Sequence, residues 1–222
     1  MFICFEGIDG AGKTTQARML HQRLCAEGLS PELVHDPGTT KIGTAIRQIL
    51  LHNDAPISAH AQMLLFSAAR AELAVHIRAV LDAGGHAICD RWLLSTLVYQ
   101  GEINGISEKL ITTIFQETSR VEPDLCFLLD LDPEDAGARM TKRSGSQKMD
   151  RYERRCVSDR IRMRDAYLRY ADEPPHNKNM YVVSAAESPE ETHELVYDAV
   201  MTVFSRMESK NDNGRKRLLE KS

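Results

Sequence analysis

The stretch CFEGIDGAGKTTQ, residues 4–16, constrains the fold of this chain more than any other. It places Gly7, four further residues and then Gly12-Lys13-Thr14 between an apolar run and a segment with helical spacing. In this pattern a glycine-rich turn aims backbone N–H groups at a phosphate, and the following helix adds the positive end of its dipole. Lys13 can then reach the terminal phosphates of a nucleotide, while the Thr14 hydroxyl can bind the Mg²⁺ that bridges them. The motif therefore predicts a strand, a loop and a helix that together bind a nucleotide polyphosphate.

The phosphate loop alone does not identify a reaction, because GTPase switches, ATPases and kinases share it. A GTPase would also need a guanine-reading NKxD stretch, and the sequence contains none. This difference argues against a switch protein and leaves the ATP-using classes open.

Five short apolar runs alternate with longer stretches in which apolar residues recur at helical spacing. Strands that alternate with helices imply crossover connections and a mostly parallel sheet covered on both faces. We therefore predict an α/β fold, a P-loop three-layer α/β/α architecture with a sheet of about five parallel strands, whose carboxyl ends collect ligands. The five runs are FICF (2–5), ELVH (32–35), HAICD (86–90), LCFLLDL (125–131) and MYVVS (180–184).

The composition limits the expected partners and location. A chain of 222 residues can form one full core, and its formal net charge of −4 gives no overall attraction to nucleic acid. The five cysteines include no CxxC pair, which is typical of small buried side chains in a reducing compartment. No apolar run is long enough to cross a membrane, and the chain enters a strand without a signal segment. The sequence predicts a cytoplasmic protein without nucleic-acid or membrane partners.

Two further segments suggest a second substrate. In HAICDRWLLSTLVYQG (86–101), Asp90 and Arg91 leave a presumed strand end, where a carboxylate can orient Mg²⁺ and an arginine can bind phosphate through two hydrogen bonds. Phe66 and Arg70 share one face of another predicted helix, and an aromatic ring beside a guanidinium suits a flat base with carbonyl groups. The alternatives are an ordinary surface helix for the first segment and plain core for Phe66.

The sequence resembles the bacterial thymidylate (dTMP) kinases from about residue 2 to residue 205. The Asp-Arg pair followed by Ser and by Tyr-Gln-Gly at this spacing is quite specific to that family. The stretches that carry the resemblance are FEGIDGAGKTTQ (5–16), DPGTTKIGTAIRQILL (36–51), LLFSAARAEL (64–73), DRWLLSTLVYQG (90–101) and DRYE (150–153).

The resemblance implies transfer of the ATP γ-phosphate to dTMP, which gives dTDP and ADP and requires Mg²⁺. Lys13 would act on the transferring phosphate, Thr14 and Asp90 on the metal, and Asp9 near the sugar 3′-hydroxyl and the acceptor phosphate. The residues implied to bind ATP are Gly7, Ile8, Asp9, Gly10, Ala11, Gly12, Lys13, Thr14 and Thr15.

The resemblance also implies the acceptor site. Arg47 and Arg91 would hold the dTMP phosphate. Phe66 would stack on thymine and Arg70 would donate hydrogen bonds to it. The remaining positions are Thr96 and Gln100, which would line the base pocket, and Tyr99, which would disfavour a ribose 2′-hydroxyl. Family members are commonly homodimers, so the resemblance implies a homodimer as well.

The stretch ARMTKRSGSQKMDRYE, 138–153, predicts a short basic lid, because phosphoryl transfer needs mobile cations that close over the phosphates. Some thymidylate kinases carry the catalytic cation in the phosphate loop and others carry it on the lid. Here residues 9–12 contain no arginine, so the catalytic set implied is Lys13, Arg91, Asp9 and a lid cation. We assign that cation to Arg143, with Lys142, Lys148 and Arg139 as the other lid candidates; the alternative is a solvated charged loop. The kinase domain is expected over 1–208, with the lid inside it and a disordered tail over 209–222.

Three positions depart from the family pattern. His35 and Asp36 stand where many relatives have arginine and glutamate, which changes both charge and reach at the acceptor site. Trp92 stands where a smaller aromatic side chain or a histidine is common, and we expect it to alter the rim of that site. The alternatives that stay open are a kinase for another deoxynucleotide or deoxynucleoside, and an ATP-binding regulatory module with weak catalysis.

Overall fold

The fold is a five-stranded parallel sheet with helices on both faces, seen in a computed structural model. The structure describes residues 1–52, 55–143, 152 and 156–219, with side chains as far as residue 206. The strands lie in the order β2-β3-β1-β4-β5, and each neighbouring pair is parallel. Their bounds are β1 Phe2–Glu6, β2 Glu32–His35, β3 Ala87–Asp90, β4 Leu125–Asp130 and β5 Met180–Ser184. All five strand predictions are confirmed, with ends that agree to within one residue.

The helices fill the connections between the strands and cover the sheet. A π-helix, which has a wider turn than an α-helix, continues directly from α4. The helices are α1 Lys13–Ala26, α2 Lys41–His52, α3 Ala59–Asp82, α4 Leu93–Thr96, the π-helix Leu97–Ile103, α5 Glu108–Thr118, α6 Pro133–Arg143, α7 Val157–Asp172 and α8 Pro189–Leu219.

Alternate side chains of β1 point to opposite faces of the sheet and enter different clusters. Ile3 and Phe5 pack with Leu20 of α1, whereas Phe2 and Cys4 belong to the cluster that contains helices α3 and α5. Burial of both faces is what a central parallel strand requires, and it explains why the strand is apolar throughout. The result is the three-layer α/β/α architecture expected from the sequence.

Trp92 also lies in the core. Its ring packs edge-on against Phe2 at 5.2 Å between centroids, and its Nε1 donates a hydrogen bond to the carbonyl of Val121 at 3.0 Å. Only 2% of the residue is exposed. The expectation that Trp92 alters the rim of the acceptor site is therefore wrong, because the side chain turns towards the sheet and away from the cavity.

The final helix begins with a capping box. The Ser188 hydroxyl accepts from the Glu191 backbone N–H at 3.2 Å, and the Glu191 carboxylate accepts from the Ser188 N–H at 3.1 Å. The helix includes residues 209–219, for which the sequence predicts a disordered tail. The domain boundary at residue 208 and the disordered tail after it stay predictions.

Sheet order positions the site. Strands β1 and β3 are neighbours, with Phe5 and Asp90 as partners in register, and His35 at the end of β2 is the partner of Asp90. The loop after β1 therefore lies beside the Asp90-Arg91 pair after β3, although 84 positions separate Gly7 from Arg91 in the sequence. This edge of the sheet carries the candidate site, as expected for a parallel α/β fold.

Candidate active site

The phosphate loop connects β1 to α1, and two of its glycines are required by close backbone contacts. Gly7 has φ +135°, and a Cβ there would lie 2.6 Å from the carbonyl oxygen of Leu129. Gly10 has φ +91°, and a Cβ there would overlap the backbone of Ala136 in α6. These positions need both the backbone freedom and the small size of glycine. The loop is thus held against β4 and α6.

Lys13 is folded back onto the loop. Its Nζ donates to the carbonyl oxygens of Gly7 at 2.9 Å and Ile8 at 2.8 Å, and only 5% of the residue is exposed. Burial, and then the nearby Arg91, lower the pKa of Lys13 to about 8. A bound polyphosphate would draw this ammonium group away from the two carbonyls, because anionic oxygens are stronger partners.

Thr14 and Asp90 meet at the mouth of the loop. The Thr14 hydroxyl donates a short hydrogen bond to Oδ2 of Asp90, and Oδ1 of Asp90 is buried without a hydrogen-bond partner among the described residues. A hydroxyl and a carboxylate with a spare oxygen are the hard ligands that Mg²⁺ prefers. The part of the chain that the structure describes contains no group of three acidic, His or Cys side chains that could hold a metal. This donor set fits an ion that takes its other ligands from phosphate and water.

Asp9, Arg91 and Tyr99 form one network across the cavity. Arg91 makes a short ion pair with Asp9, and the Tyr99 hydroxyl donates to Oδ2 of Asp9 at 2.7 Å. The Arg91 guanidinium carbon lies 5.3 Å from the centre of the Tyr99 ring. Burial raises the pKa of Tyr99 well above its usual range, so its hydroxyl remains a donor near neutral pH. The network joins the phosphate loop to the segment after β3.

The predicted base pocket is built around a buried ion pair. Arg70 is 3% exposed, and its Nε donates to Oδ2 of Asp36 at 2.6 Å. The same guanidinium donates to the Thr96 hydroxyl at 2.7 Å. Gln100 is buried beside them, with Nε2 unpartnered among the described residues. Because Asp36 fixes one edge of the guanidinium, Arg70 has a defined orientation in the pocket.

Two aromatic rings close this end. Phe66 and Tyr152 contact edge-on, with ring centroids 5.8 Å apart. The Tyr152 hydroxyl donates to the side-chain oxygen of Gln62 at 2.8 Å, which holds the tyrosine against α3. Tyr99 approaches Tyr152 from the other side, at 6.1 Å between centroids. Tyr152 belongs to the stretch DRYE (150–153) that carries the family resemblance, but no role was assigned to it from the sequence.

Arg47 and His35 lie on the loop side of the same cavity. Arg47 donates to the carbonyl of Pro37 at 2.8 Å. Partial burial, and then Arg47, lower the pKa of His35, so the imidazole is neutral near pH 7. His35 therefore contributes no positive charge to this part of the site near pH 7.

The side chains of Asp9, Lys13, Arg91, Tyr99 and Arg70 line one cavity of about 960 Å³, together with those of Thr14, Asp90, His35, Arg47, Phe66 and Tyr152. Arg139 donates to the carbonyl of Ala185 at 2.9 Å and thereby joins α6 to the turn after β5. Arg143 also lines the cavity, whereas Lys142 is exposed outside it and Lys148 lies outside the described residues. One end of the cavity is lined by Gln16, Arg139, Ala185, Glu187 and Thr192, and the other by Phe66, Arg70, Thr96, Gln100 and Tyr152.

Most of the predicted loop residues are also on the cavity. Asp9 to Thr15 line it, while Gly7 and Ile8 lie beneath and contribute their carbonyl groups. Glu6, just before the loop, is a site residue that sequence reasoning missed. It is fully buried and accepts hydrogen bonds from the segment that follows Arg91. Its only signal was a charged residue at the end of an apolar strand.

The parallel sheet, the phosphate loop and a single cavity with two ends define a P-loop nucleotide kinase. The thymidylate kinase family model matches residues 5–196 of the chain. The chain therefore belongs to the thymidylate kinase family.

Individual relatives agree with that assignment. A thymidylate kinase from Prosthecochloris aestuarii is 35% identical, with 96% of this chain and 99% of that protein covered. One from Halothermothrix orenii is 36% identical, with 90% and 96% covered. The crystal structure of thymidylate kinase from Ehrlichia chaffeensis matches with a TM-score of 0.73 at 28% identity, and covers 90% of this chain and 98% of that one. None of the described helices combines the length and apolarity that a membrane crossing requires.

Proposed function

We propose that this protein transfers the γ-phosphoryl group of ATP to dTMP and yields ADP and dTDP. The observation that carries the proposal is the single cavity in which the phosphate loop faces a base pocket built on Arg70, with Arg91 and Asp9 between them. Such an arrangement brings two phosphates together, and phosphoryl transfer requires mainly that alignment. No observation favours a different acceptor or a regulatory module without catalysis.

On the donor side, the loop N–H groups would bind the triphosphate, and Lys13 would leave its two carbonyl partners to contact the transferring phosphate. Thr14 and Asp90 would hold Mg²⁺. When bound, that ion supplies positive charge that neutralises the phosphate oxygens and orients them. Arg139 and the turn after β5 would form the end of the site for the adenine ring.

On the acceptor side, Phe66 would stack on thymine while Arg70 donates to a carbonyl of the base. Thr96 and Gln100 would complete the base pocket, as the resemblance implies.

The acceptor sugar and phosphate would lie between the base pocket and the loop. Arg91 and Arg47 would bind the acceptor phosphate, with Asp9 near the 3′-hydroxyl. Tyr99 would occupy the space that a 2′-hydroxyl needs, because its hydroxyl is fixed on Asp9.

For the lid we assign the catalytic cation to Arg143, at the end of α6. The loop segment from Asp9 to Gly12 supplies no arginine, while Arg143 lines the cavity. Its role would be to neutralise charge that develops during direct in-line transfer. Arg139, which contacts Ala185, would serve the donor base instead.

The family resemblance also supports a homodimer. Exposed apolar side chains on α2 and α3 offer a surface for a second copy of the chain. They include Ile42, which is 54% exposed, Leu64, which is 55% exposed, and Val75, which is 65% exposed. The expected absence of nucleic-acid partners and the cytoplasmic location stay predictions.

A product assay tests the function and the lid assignment together. Purified protein would receive Mg-ATP with dTMP, dUMP, dCMP, dAMP or thymidine in turn, and ADP and the phosphorylated product would be measured. We expect dTMP to be preferred, and Arg143→Ala to lower kcat roughly 10³-fold with a smaller change in KM, because a catalytic arginine acts on the transition state. Lys109→Ala, which removes an exposed cation from α5, is the matched control.

Each outcome has a separate meaning. Preference for another acceptor, or no transfer at all, overturns the proposed function. A preference for dTMP with an unimpaired Arg143→Ala variant leaves the function in place and shows that the catalytic cation was assigned wrongly.

A further inference from the structure

The backbone at Arg91 is in a conformation that its residue type rarely adopts. Arg91 has φ +76°, in the left-handed region that favours glycine. Residues held in such regions persist only where the surroundings over-determine them, and they cluster at functional sites. The groups that hold this turn also determine where the Arg91 side chain lies.

Three main-chain contacts fix the turn from the sheet and from α3. The Arg91 N–H donates to the carbonyl of Phe5 at 2.9 Å, and the Cys89 thiol donates to the Arg91 carbonyl at 3.0 Å. Arg70 donates to the carbonyl of Trp92 at 3.2 Å. The turn thus touches the ion pair of the base pocket as well as strand β1.

A fourth holding group is the buried carboxylate of Glu6. Its Oε1 accepts from the backbone N–H of Trp92 at 2.8 Å and of Ser95 at 3.1 Å. These are N–H groups at the start of α4, which have no partner within their own helix. The residue that precedes the phosphate loop therefore caps the helix that begins after Arg91.

The other oxygen of Glu6 reaches the Arg91 side chain through one hydroxyl. Ser95 Oγ donates to Glu6 Oε2 at 2.6 Å, and Arg91 Nη1 donates to Ser95 Oγ at 3.0 Å. Tyr167 is also within 3.0 Å of Ser95 Oγ. A serine hydroxyl has one proton and two lone pairs, so when Ser95 donates its proton to the Glu6 carboxylate, both lone pairs are left to accept from Arg91 and from the Tyr167 hydroxyl. Every hydrogen-bonding position of Ser95 Oγ is then used, and its orientation is fixed.

We propose that Glu6 is a positioning residue for Arg91, and that it acts through Ser95 Oγ and through the start of α4. Glu6 holds the Arg91 guanidinium in one orientation, so that little side-chain conformational entropy is lost when Arg91 binds the acceptor phosphate. This inference rests on the proposed role of Arg91 in acceptor binding. It goes beyond that role because it assigns a task to Glu6, which lies outside the cavity lining, and to Ser95, which joins Glu6 to Arg91.

A double-mutant cycle on dTMP binding tests the link. Ser95→Ala, Arg91→Met and the double variant would be compared with the unchanged protein by calorimetric titration with dTMP and, separately, with ADP. We expect Ser95→Ala to weaken dTMP binding roughly tenfold in the unchanged background and less than about twofold in the Arg91→Met background, with ADP affinity unchanged. Ser119→Ala, which removes another buried serine hydroxyl, is the matched control.

Glu6→Gln supplies an independent variant. The new amide can still accept from the two backbone N–H groups, but its NH₂ replaces an acceptor with a donor. Ser95 Oγ then loses the acceptor for its proton and must turn that proton towards the Tyr167 hydroxyl, which changes the orientation in which it accepts from Arg91. We expect the same selective loss of dTMP affinity, with thermal unfolding as the check that the fold remains. Glu6→Gln combined with Arg91→Met should again add little to the effect of Arg91→Met.

The outcomes distinguish the proposed role of Arg91 in dTMP binding from the positioning role of Glu6. If Arg91→Met leaves dTMP binding intact, the proposed role of Arg91 fails and this inference fails with it. If Arg91→Met weakens binding but Ser95→Ala or Glu6→Gln adds an equal factor in both backgrounds, only the inference is overturned, because Glu6 then supports the fold without positioning Arg91. Equal losses for dTMP and ADP in these variants would overturn it in the same way.

Discussion

Single residues in this site combine burial with charge to an unusual degree. Glu6, Lys13, Asp36 and Arg70 are each at most 5% exposed. A buried charge is costly unless it is paired or hydrogen-bonded, and each of these four has such partners. For Glu6, Asp36 and Arg70 these partners hold the side chain in place before a substrate binds. Lys13 is different, because it must leave its two carbonyl partners to reach a phosphate.

The lowered pKa of Lys13 predicts that nucleotide binding depends on pH. Its pKa is lowered to about 8 by burial and Arg91, and bound phosphate would raise it again. Nucleotide binding should therefore take up a proton at about pH 8.5 but not at about pH 6.5, and the affinity for ADP should fall as the pH rises through about 8. Titration calorimetry in buffers of different ionisation enthalpy measures this uptake.

Lys13→Arg is the control for that measurement, because arginine stays charged over the whole range. It should bind ADP without the proton uptake near pH 8.5. Equal uptake in Lys13→Arg would assign the proton to another group.

The Asp36–Arg70 pair predicts a large effect on stability. Asp36→Asn keeps the shape of the side chain but leaves Arg70 as a buried charge without its counterion, and this should lower the free energy of unfolding by about 3–5 kcal/mol. Urea denaturation measures the loss. Arg169→Gln, which breaks the more exposed pair with Glu102, should cost less than about 1 kcal/mol. Similar losses for both variants would contradict the argument.

At the scale of elements, a π-helix positions two residues of the proposed acceptor site. It runs over Leu97–Ile103 and contributes Tyr99 and Gln100 to the cavity. Tyr99 and Ser95 both contact Arg91, as expected for two residues four positions apart on one helical face. A wider turn was not predicted, because apolar spacing over so few residues does not distinguish a π-helix from an α-helix.

Helices α2 and α3 give the prediction for assembly. If their exposed apolar side chains meet a second copy, Leu64→Glu should place a charge in that contact and convert the dimer to a monomer in light-scattering measurements. Leu195→Glu is the matched control, since Leu195 is 57% exposed on α8 and should leave the dimer unchanged. A dimer that tolerates Leu64→Glu, or that Leu195→Glu disrupts, would place the contact elsewhere.

At the scale of the whole molecule, local sequence patterns were enough to predict the strands. They were not enough to predict which side chains from distant parts of the chain contact one another. The apolar runs at 32–35 and 180–184 coincide with β2 and β5, although these strands form the two edges of the sheet and each has a single buried residue, Val34 and Val183. The bond between Asp36 and Arg70, and that between Glu6 and Ser95, depend on sheet order, with 34 and 89 positions between the partners. Residues proposed to contact substrate carried motif signals, whereas the residues that hold them in place carried few or none.

The close contact between Gly10 and Ala136 holds helix α6 near its first turn and leaves its far end, at Arg143, further from the contact. The contact fixes the first turn of the helix against the phosphate loop. Arg143 ends the same helix, seven positions further on and therefore about 10 Å along its axis. A tilt of the helix about Ala136 would therefore displace Arg143 more than it displaces the first turn. This contact requires glycine, because any side chain at position 10 would collide with the backbone of Ala136 and push α6 away from the phosphate loop.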